Sequence, residues 1–154
     1  MKFNYYGFKA IYVHEMNRFY RTVGQSLLSP VISTSLYFVV FGSVIGGYIQ
    51  KIDGVSYGSY IVPGLLMLTL LTQSISNTSF GIFFPKFNGT INEILAAPIS
   101  TLETVLAFVG AGATKTLIVG AVIYATALFF ADVTVKHPML MIFLLVLVSF
   151  TFAL

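Results

Sequence analysis

Lys115 interrupts a long apolar stretch, Thr101 to Phe130, whose only other charged residue is Glu103 near its start. If that stretch is one helix, Lys115 lies ~18 Å along it from Glu103. An ionisable residue at that depth in a membrane span marks either the lining of a pathway or a partner for an acidic group. The alternative is snorkelling. Helical side chains lean toward the helix N-terminus, and Ala111 and Gly112 leave room for the lysine to lie back. Both readings fit the spacing. Glu15 falls on the apolar side of an amphipathic segment, between Ile11 and Phe19, with Arg18 three residues on and Arg21 beyond it. The i, i+3 spacing pairs Glu15 with Arg18 and calls for no catalytic role. A third group is the stripe Thr69, Gln73 and Asn77, with Thr72, Ser76 and Ser79 beside it. A polar stripe in an apolar helix turns away from lipid. It either lines a translocation route or supplies interhelical hydrogen bonds, worth about 0.6 kcal/mol each.

None of these groups assembles an enzyme active site. His14 and His137 have no carboxylate and nucleophile around them, and with no cysteine there is no disulfide, iron–sulfur cluster or thiolate zinc site. Gly110-Ala111-Gly112-Ala113-Thr114-Lys115-Thr116 has the look of a phosphate loop but lacks the glycine before the lysine, and it has no preceding soluble strand. Gly112, Thr116 and Gly120 instead have the four-residue spacing of small residues that lets two helix backbones approach. Whether the partner helix belongs to the same chain or to a second copy is not readable from spacing. No bound cofactor is expected.

The elements that carry these residues belong to a membrane. Hydrophobic residues make up 57% and charged residues 8% of 154 positions, against roughly 25% charged in a soluble domain. The charge-free runs are Thr22–Gln50, Gly54–Pro85, Thr116–Ala131 and Pro138–Leu154, and a spanning helix needs ~20 apolar residues. The expected fold is an all-α polytopic membrane bundle with spanning helices over 30–48, 57–84, 101–130 and 139–154. The fourth run stops at Leu154 without a polar flank, so the chain reads as a fragment ending within its fourth spanning helix. Pro30 is placed as a first-turn residue of the first span. Ahead of it, residues 8–25 form an amphipathic helix. Phe8, Ile11, Tyr12, Met16, Phe19, Tyr20 and Val23 share one face; His14, Asn17, Arg18, Arg21 and Gln25 share the other. Basic residues opposite an aromatic face suit a helix held flat on anionic lipid.

Between the second and third spans lies a loop, 86–99, with its own helix signals. Thr90 and Glu93 have capping-box spacing, as do Ser100 and Glu103 at the start of the next helix. Pro98 ends the short helix. A helix of that length does not stand alone in water, so Ile91, Ile94 and Leu95 are expected to dock. Lys2, Lys9, Arg18, Arg21 and Lys86 fall on one side of the membrane in this arrangement, and Lys51 and Lys136 on the other. That bias places the N-terminus in the cytoplasm. It also accounts for the +3 net charge without nucleic-acid binding.

Arg18-Phe19-Tyr20-Arg21, Leu36-Tyr37-Phe38-Val39-Val40-Phe41-Gly42, Val62-Pro63-Gly64-Leu65 and Glu93-Ile94-Leu95-Ala96-Ala97-Pro98 occur in that order. In this the chain resembles ABC-2-type permeases, over nearly its whole length. The resemblance implies a single membrane domain over 1–154 carrying four of six transmembrane helices. It further implies a bacterial inner-membrane location, a second permease copy, and separate ABC ATPase subunits that use the ATP. The chain would then be the permease subunit of an exporter. The loop helix would be the coupling contact with the ATPase through Asn92, Glu93, Leu95, Ala96 and Pro98, with Gly89 and Thr90 setting the turn. Two other readings stand beside it: a permease for polysaccharide or lipid-linked polymer, and a non-transporting membrane scaffold that recruits a cytoplasmic protein.

Overall fold

A computed structural model describes residues 3–45, 51–52, 55–130 and 138–154. The chain folds as α1 (Tyr5–Arg21), α2 (Val23–Tyr37), a wider π-type continuation of α2 (Phe38–Ile45), strands β1 (Lys51–Ile52) and β2 (Val55–Ser56), α3 (Tyr57–Phe87), α4 (Ile91–Ala96), α5 (Thr101–Phe130) and α6 (Pro138–Ala153). The two strands form one antiparallel ladder, Lys51 opposite Ser56 and Ile52 opposite Val55. Among the described residues three helices are long and apolar enough to cross a membrane: Val23–Phe41, Tyr57–Phe87 and Thr101–Phe129. The fourth expected span is the shorter helix α6. The architecture is an all-α membrane helical bundle.

Several boundaries move from their expected places. The amphipathic helix spans Tyr5–Arg21, not 8–25, because Asn4 caps it: the Asn4 Oδ1 accepts from the Gly7 N–H at 3.1 Å. It stops at Thr22, whose hydroxyl donates back to the Arg18 and Phe19 carbonyls. The first long apolar helix therefore starts at Val23, not at 30, and Pro30 sits inside it and is buried. Helix α3 runs on to Phe87 instead of ending at 84. The loop helix keeps only Ile91–Ala96. Its Thr90 forms no side-chain cap, since Thr90 itself has helical φ and ψ, so the capping box there does not form. At Ser100 half of the expected box does form, with the Glu103 Oε2 accepting from the Ser100 N–H at 2.9 Å. The end of the expected first span, 46–48, and also Gln50, Lys136 and His137 lie outside the described residues.

Helix α5 is the hub, and every other long helix packs on it. Helix α1 runs parallel to α5, with Asn4 meeting Glu103, Tyr12 meeting Thr114 and Glu15 meeting Lys115. Phe19 continues that register against Val119 and Ile123. The aromatic face assigned to lipid is thus largely taken up by protein: Met16 and Phe19 are buried, whereas Tyr20 stays exposed. Helix α3 runs antiparallel, placing Thr78 on Gly112, Leu70 on Gly120 and Val62 near Ala127. Helix α6 closes the other side, with Ala153 against Val109 and Ala113 and the Ser149 carbonyl accepting from the Ser74 hydroxyl at 2.6 Å.

Small residues on α5 make this close approach possible. Ala107, Ala111, Ala113, Thr116 and Ala127 are all fully buried. A Cβ on Gly112 would overlap the Thr78 hydroxyl and come within 3.3 Å of the Thr78 Cβ. One on Gly120 would press on a Leu70 methyl. At these two positions the partner of the small-residue stripe is α3 of the same chain. Gly112→Ala should therefore destabilise the protein by about 1–3 kcal/mol through overpacking. Adding Thr78→Ala, which removes the obstructing hydroxyl, should restore most of that loss. Denaturant unfolding of the two variants in detergent checks this, and simple additivity of the two changes would contradict the contact.

Candidate functional site

The parallel register of α1 and α5 brings Glu15 onto Lys115 across 100 residues of sequence. The Lys115 Nζ donates to the Glu15 Oε2 at 2.7 Å, and both side chains are almost wholly buried. The other carboxylate oxygen, Oε1, lies 3.1 Å from the Arg18 Nη1. That second contact is a charge contact without hydrogen-bond geometry, for Oε1 has no hydrogen-bond partner. Arg18 is one-third exposed and also lies over the Phe84 ring, 5.6 Å from its centroid. One buried carboxylate is thus held between two cations. Pairing with Arg18 is as the spacing implies, whereas Lys115 neither snorkels nor stands alone. A charge carried that far into an apolar bundle needs an opposite charge at contact distance, and Glu15 supplies it.

A cavity of about 680 Å³ opens beside this cluster, between α1, α2, α3 and α5. Arg18 and Lys115 contribute cations to its wall, and Gln73, Ser76 and Asn77 contribute polar side chains from α3. The Asn77 amide also reaches the Thr116 hydroxyl at 3.4 Å. Of the polar stripe on α3, Gln73 and Asn77 therefore share one space with Lys115. Thr69 does not: it is not part of the wall, and its hydroxyl donates to the Leu65 carbonyl of its own helix at 2.8 Å. Arg21, exposed at the end of α1, lines a smaller cavity of about 340 Å³ with His14, Asn17 and Arg18. No cluster of three or more metal-ligating side chains occurs among the described residues.

The loop between α3 and α5 is built for a reversal. Gly89 takes φ 77°, a left-handed conformation that suits glycine, and the Asn92 N–H then closes a turn on the Gly89 carbonyl. Ala97 is extended ahead of Pro98, which ends α4. Thr90, Asn92, Glu93, Leu95, Ala96 and Pro98 are all exposed. Of the three residues expected to dock, Ile91 and Ile94 are partly covered, and Ile94 lies with Ala10, Ile11 and Phe108 around a small cavity. Leu95 does not dock; it is 72% exposed.

The start of α1 holds this loop and the first turn of α5 to the bundle. The Glu103 Oε1 accepts from the Asn4 N–H at 2.6 Å, while the Asn4 side-chain amide donates to the Pro98 carbonyl at 3.2 Å. Gly7 sits directly against Ile99, leaving no room for a side chain. Glu103 thus caps α5 with one oxygen and holds the start of α1 with the other. Sequence reasoning missed this clamp and the pairing of Glu15 with Lys115. One signal was present for the pairing: Glu15 and Lys115 are the two ionisable residues of opposite sign on apolar helix faces.

Removing one partner of a buried ion pair strands the other charge, at a cost of roughly 3–5 kcal/mol. Lys115→Met and Glu15→Gln should each destabilise the protein by about that much, read from detergent unfolding. The double variant should lose much less than the sum. Strict additivity would mean that the two side chains do not interact.

Comparison with known proteins adds a family to this geometry. The family model described as ABC-2 type transporter matches residues 6–154. The inner membrane transport permease YadH of Escherichia coli strain K12 is 38% identical over 146 residues, 95% of this chain and 57% of the relative. The proteins of the same name from Escherichia coli O157:H7 and Shigella flexneri give the same figures. This chain therefore spans 57% of the length of the curated relatives it matches. No solved structure matches it significantly. With the family pattern running from the first turns of α1 to the end of α6, the chain belongs to the ABC-2 type transporter family.

Proposed function

We propose that this chain is the membrane-spanning part of an exporter permease whose power stroke comes from a separate ABC ATPase. It lies in the bacterial inner membrane with its N-terminus in the cytoplasm and works as a pair of permease copies. ATP is bound and used by the partner, and the chain itself is not an enzyme. Family membership supports the class, and the name of the E. coli relative, an inner membrane transport permease, supports the location. Lys9, Arg18, Arg21 and Lys86 on one side of the spans support the orientation.

The observation that carries the coupling role is the exposed face of α4. A six-residue helix that leaves Leu95 uncovered, with Asn92 and Glu93 beside it, offers an apolar centre with a polar rim, the composition of a protein contact. Its two ends enter α3 and α5, which wall the cavity beside Lys115. A push on α4 is therefore delivered to both helices at once. The Asn4 and Glu103 contacts carry the same displacement into α1.

The test uses the complete permease with the ATPase encoded beside it. The wild-type pair should co-purify in mild detergent as a stoichiometric complex. Glu93→Lys should weaken that complex and uncouple ATP hydrolysis from transport, with membrane insertion unchanged. Unaltered export by this variant would refute the coupling role of α4. Recruitment of the partner without coupled ATP turnover would favour a scaffold instead.

A further inference from the structure

The cavity beside the ion cluster holds more positive charge and more hydrogen-bonding capacity than the protein itself uses. Two cations of its wall, Arg18 and Lys115, meet one carboxylate behind it, Glu15, and among the described residues no acidic side chain lines the space itself. The local balance is one positive charge. An ammonium has three N–H donors and a guanidinium five, and the contact with Glu15 occupies one on Lys115 and engages one on Arg18. Gln73 and Ser76 on the α3 wall, and Gln25 and Ser29 on the α2 wall, make no side-chain hydrogen bond among the described residues. Gln73 is half-buried and Gln25, Ser29 and Ser76 are exposed, so their polar groups are open to a ligand.

The edge of the same cavity is apolar. Phe80 and Phe84 stand one turn apart on α3, both exposed, and both border the space. Helices α2 and α3 touch only lightly, so the cavity opens sideways between them. At about 680 Å³ it has the size of an ordinary small-molecule site, roughly 300–1,000 Å³.

We propose that this cavity binds the head of a singly charged anionic amphiphile. A phosphodiester or carboxylate would engage Arg18 and Lys115, with the Gln73 and Ser76 side chains donating to its remaining oxygens. The apolar tail would leave between α2 and α3 along Phe80 and Phe84. A single negative charge matches the local balance, and a second would be repelled by Glu15. The tail is part of the requirement because a fully hydrated anion gains nothing from an aromatic edge, whereas each methylene buried there adds affinity. Binding of this kind does not depend on the transport reading above and is measured directly.

The experiment uses the complete permease in neutral maltoside micelles with three probes: twelve-carbon lysophosphatidylglycerol, lysophosphatidylcholine of the same chain length, and glycerol phosphate. The anionic lysolipid should saturate one site per chain and bind at least about tenfold tighter than its zwitterionic counterpart. Glycerol phosphate should not displace it at equal concentration. The double variant Gln73→Leu with Ser76→Leu touches neither the ion cluster nor any hydrogen bond. It should weaken binding by about tenfold with the melting temperature unchanged. If that variant does not fold, Ser29→Leu on the opposite wall should show the loss instead. Equal affinity for the two lysolipids, full displacement by glycerol phosphate, or undiminished binding by the folded wall variant would each overturn the proposal.

Discussion

A lysine inside a membrane-spanning helix has to be given an opposite charge, and that requirement organises much of this molecule. Lys115 lies midway along α5, and Glu15, on a helix about 100 residues earlier, is where the carboxylate comes from. To deliver it, α1 must run alongside α5 in a fixed register, since a shift of one residue would turn the carboxylate off the contact face. Hydrophobic contact between Phe19 and Val119 and Ile123 holds that register at one end. The bond from Asn4 to Glu103 holds it at the other. A buried pair of this kind contributes little net stability by itself, because desolvation offsets most of the attraction. Other registers of α1 would leave Lys115 without a carboxylate, while Glu15 kept only Arg18 of its own helix.

The same register links the loop to the cavity through solid contacts. Helix α4 is joined to α3 and α5 by the chain, and its C-terminal end is fastened to the start of α1 through Asn4 and the Pro98 carbonyl. Helix α1 then carries Glu15 to Lys115, at the wall of the cavity. Three helices that border one space thus meet again at the loop. At Gly112 and Gly120 the side chains of Thr78 and Leu70 on α3 pack directly onto the backbone of α5, which brings the two helices close together at both levels.

Most of the helical layout was legible in the sequence. Thr101 to Phe130 is the helix expected, because its apolar run is long and a glutamate stands at its start. The ends of the other helices were less legible, for local reasons. Pro30 reads as a helix start, since proline suits a first turn, yet it lies inside α2 because Thr22, with its hydroxyl turned back on α1, is the true break. Thr90 reads as a cap by spacing, but the left-handed turn at Gly89 has already brought Thr90 into helical geometry, where its side chain cannot cap. The aromatic face of α1 reads as lipid-facing because periodicity reports that a face is buried and is silent on what buries it.

The sequence by itself determined the class of this protein, the order of its apolar helices and the position of the loop helix between two of them. Those follow from composition and from local signals that act within a few residues. Tertiary structure alone decided which charges meet. Glu15 stood equally close in sequence to Arg18 and far from Lys115, and only the parallel packing of α1 on α5 gives its two oxygens to both. It also divided the polar stripe on α3, turning Gln73 and Asn77 toward the cavity and leaving Thr69 bonded to its own helix. The physical reason is the same in each case. Spacing sets the face of a helix on which a side chain lies, but the neighbour on that face is chosen by helix packing between segments distant in the chain.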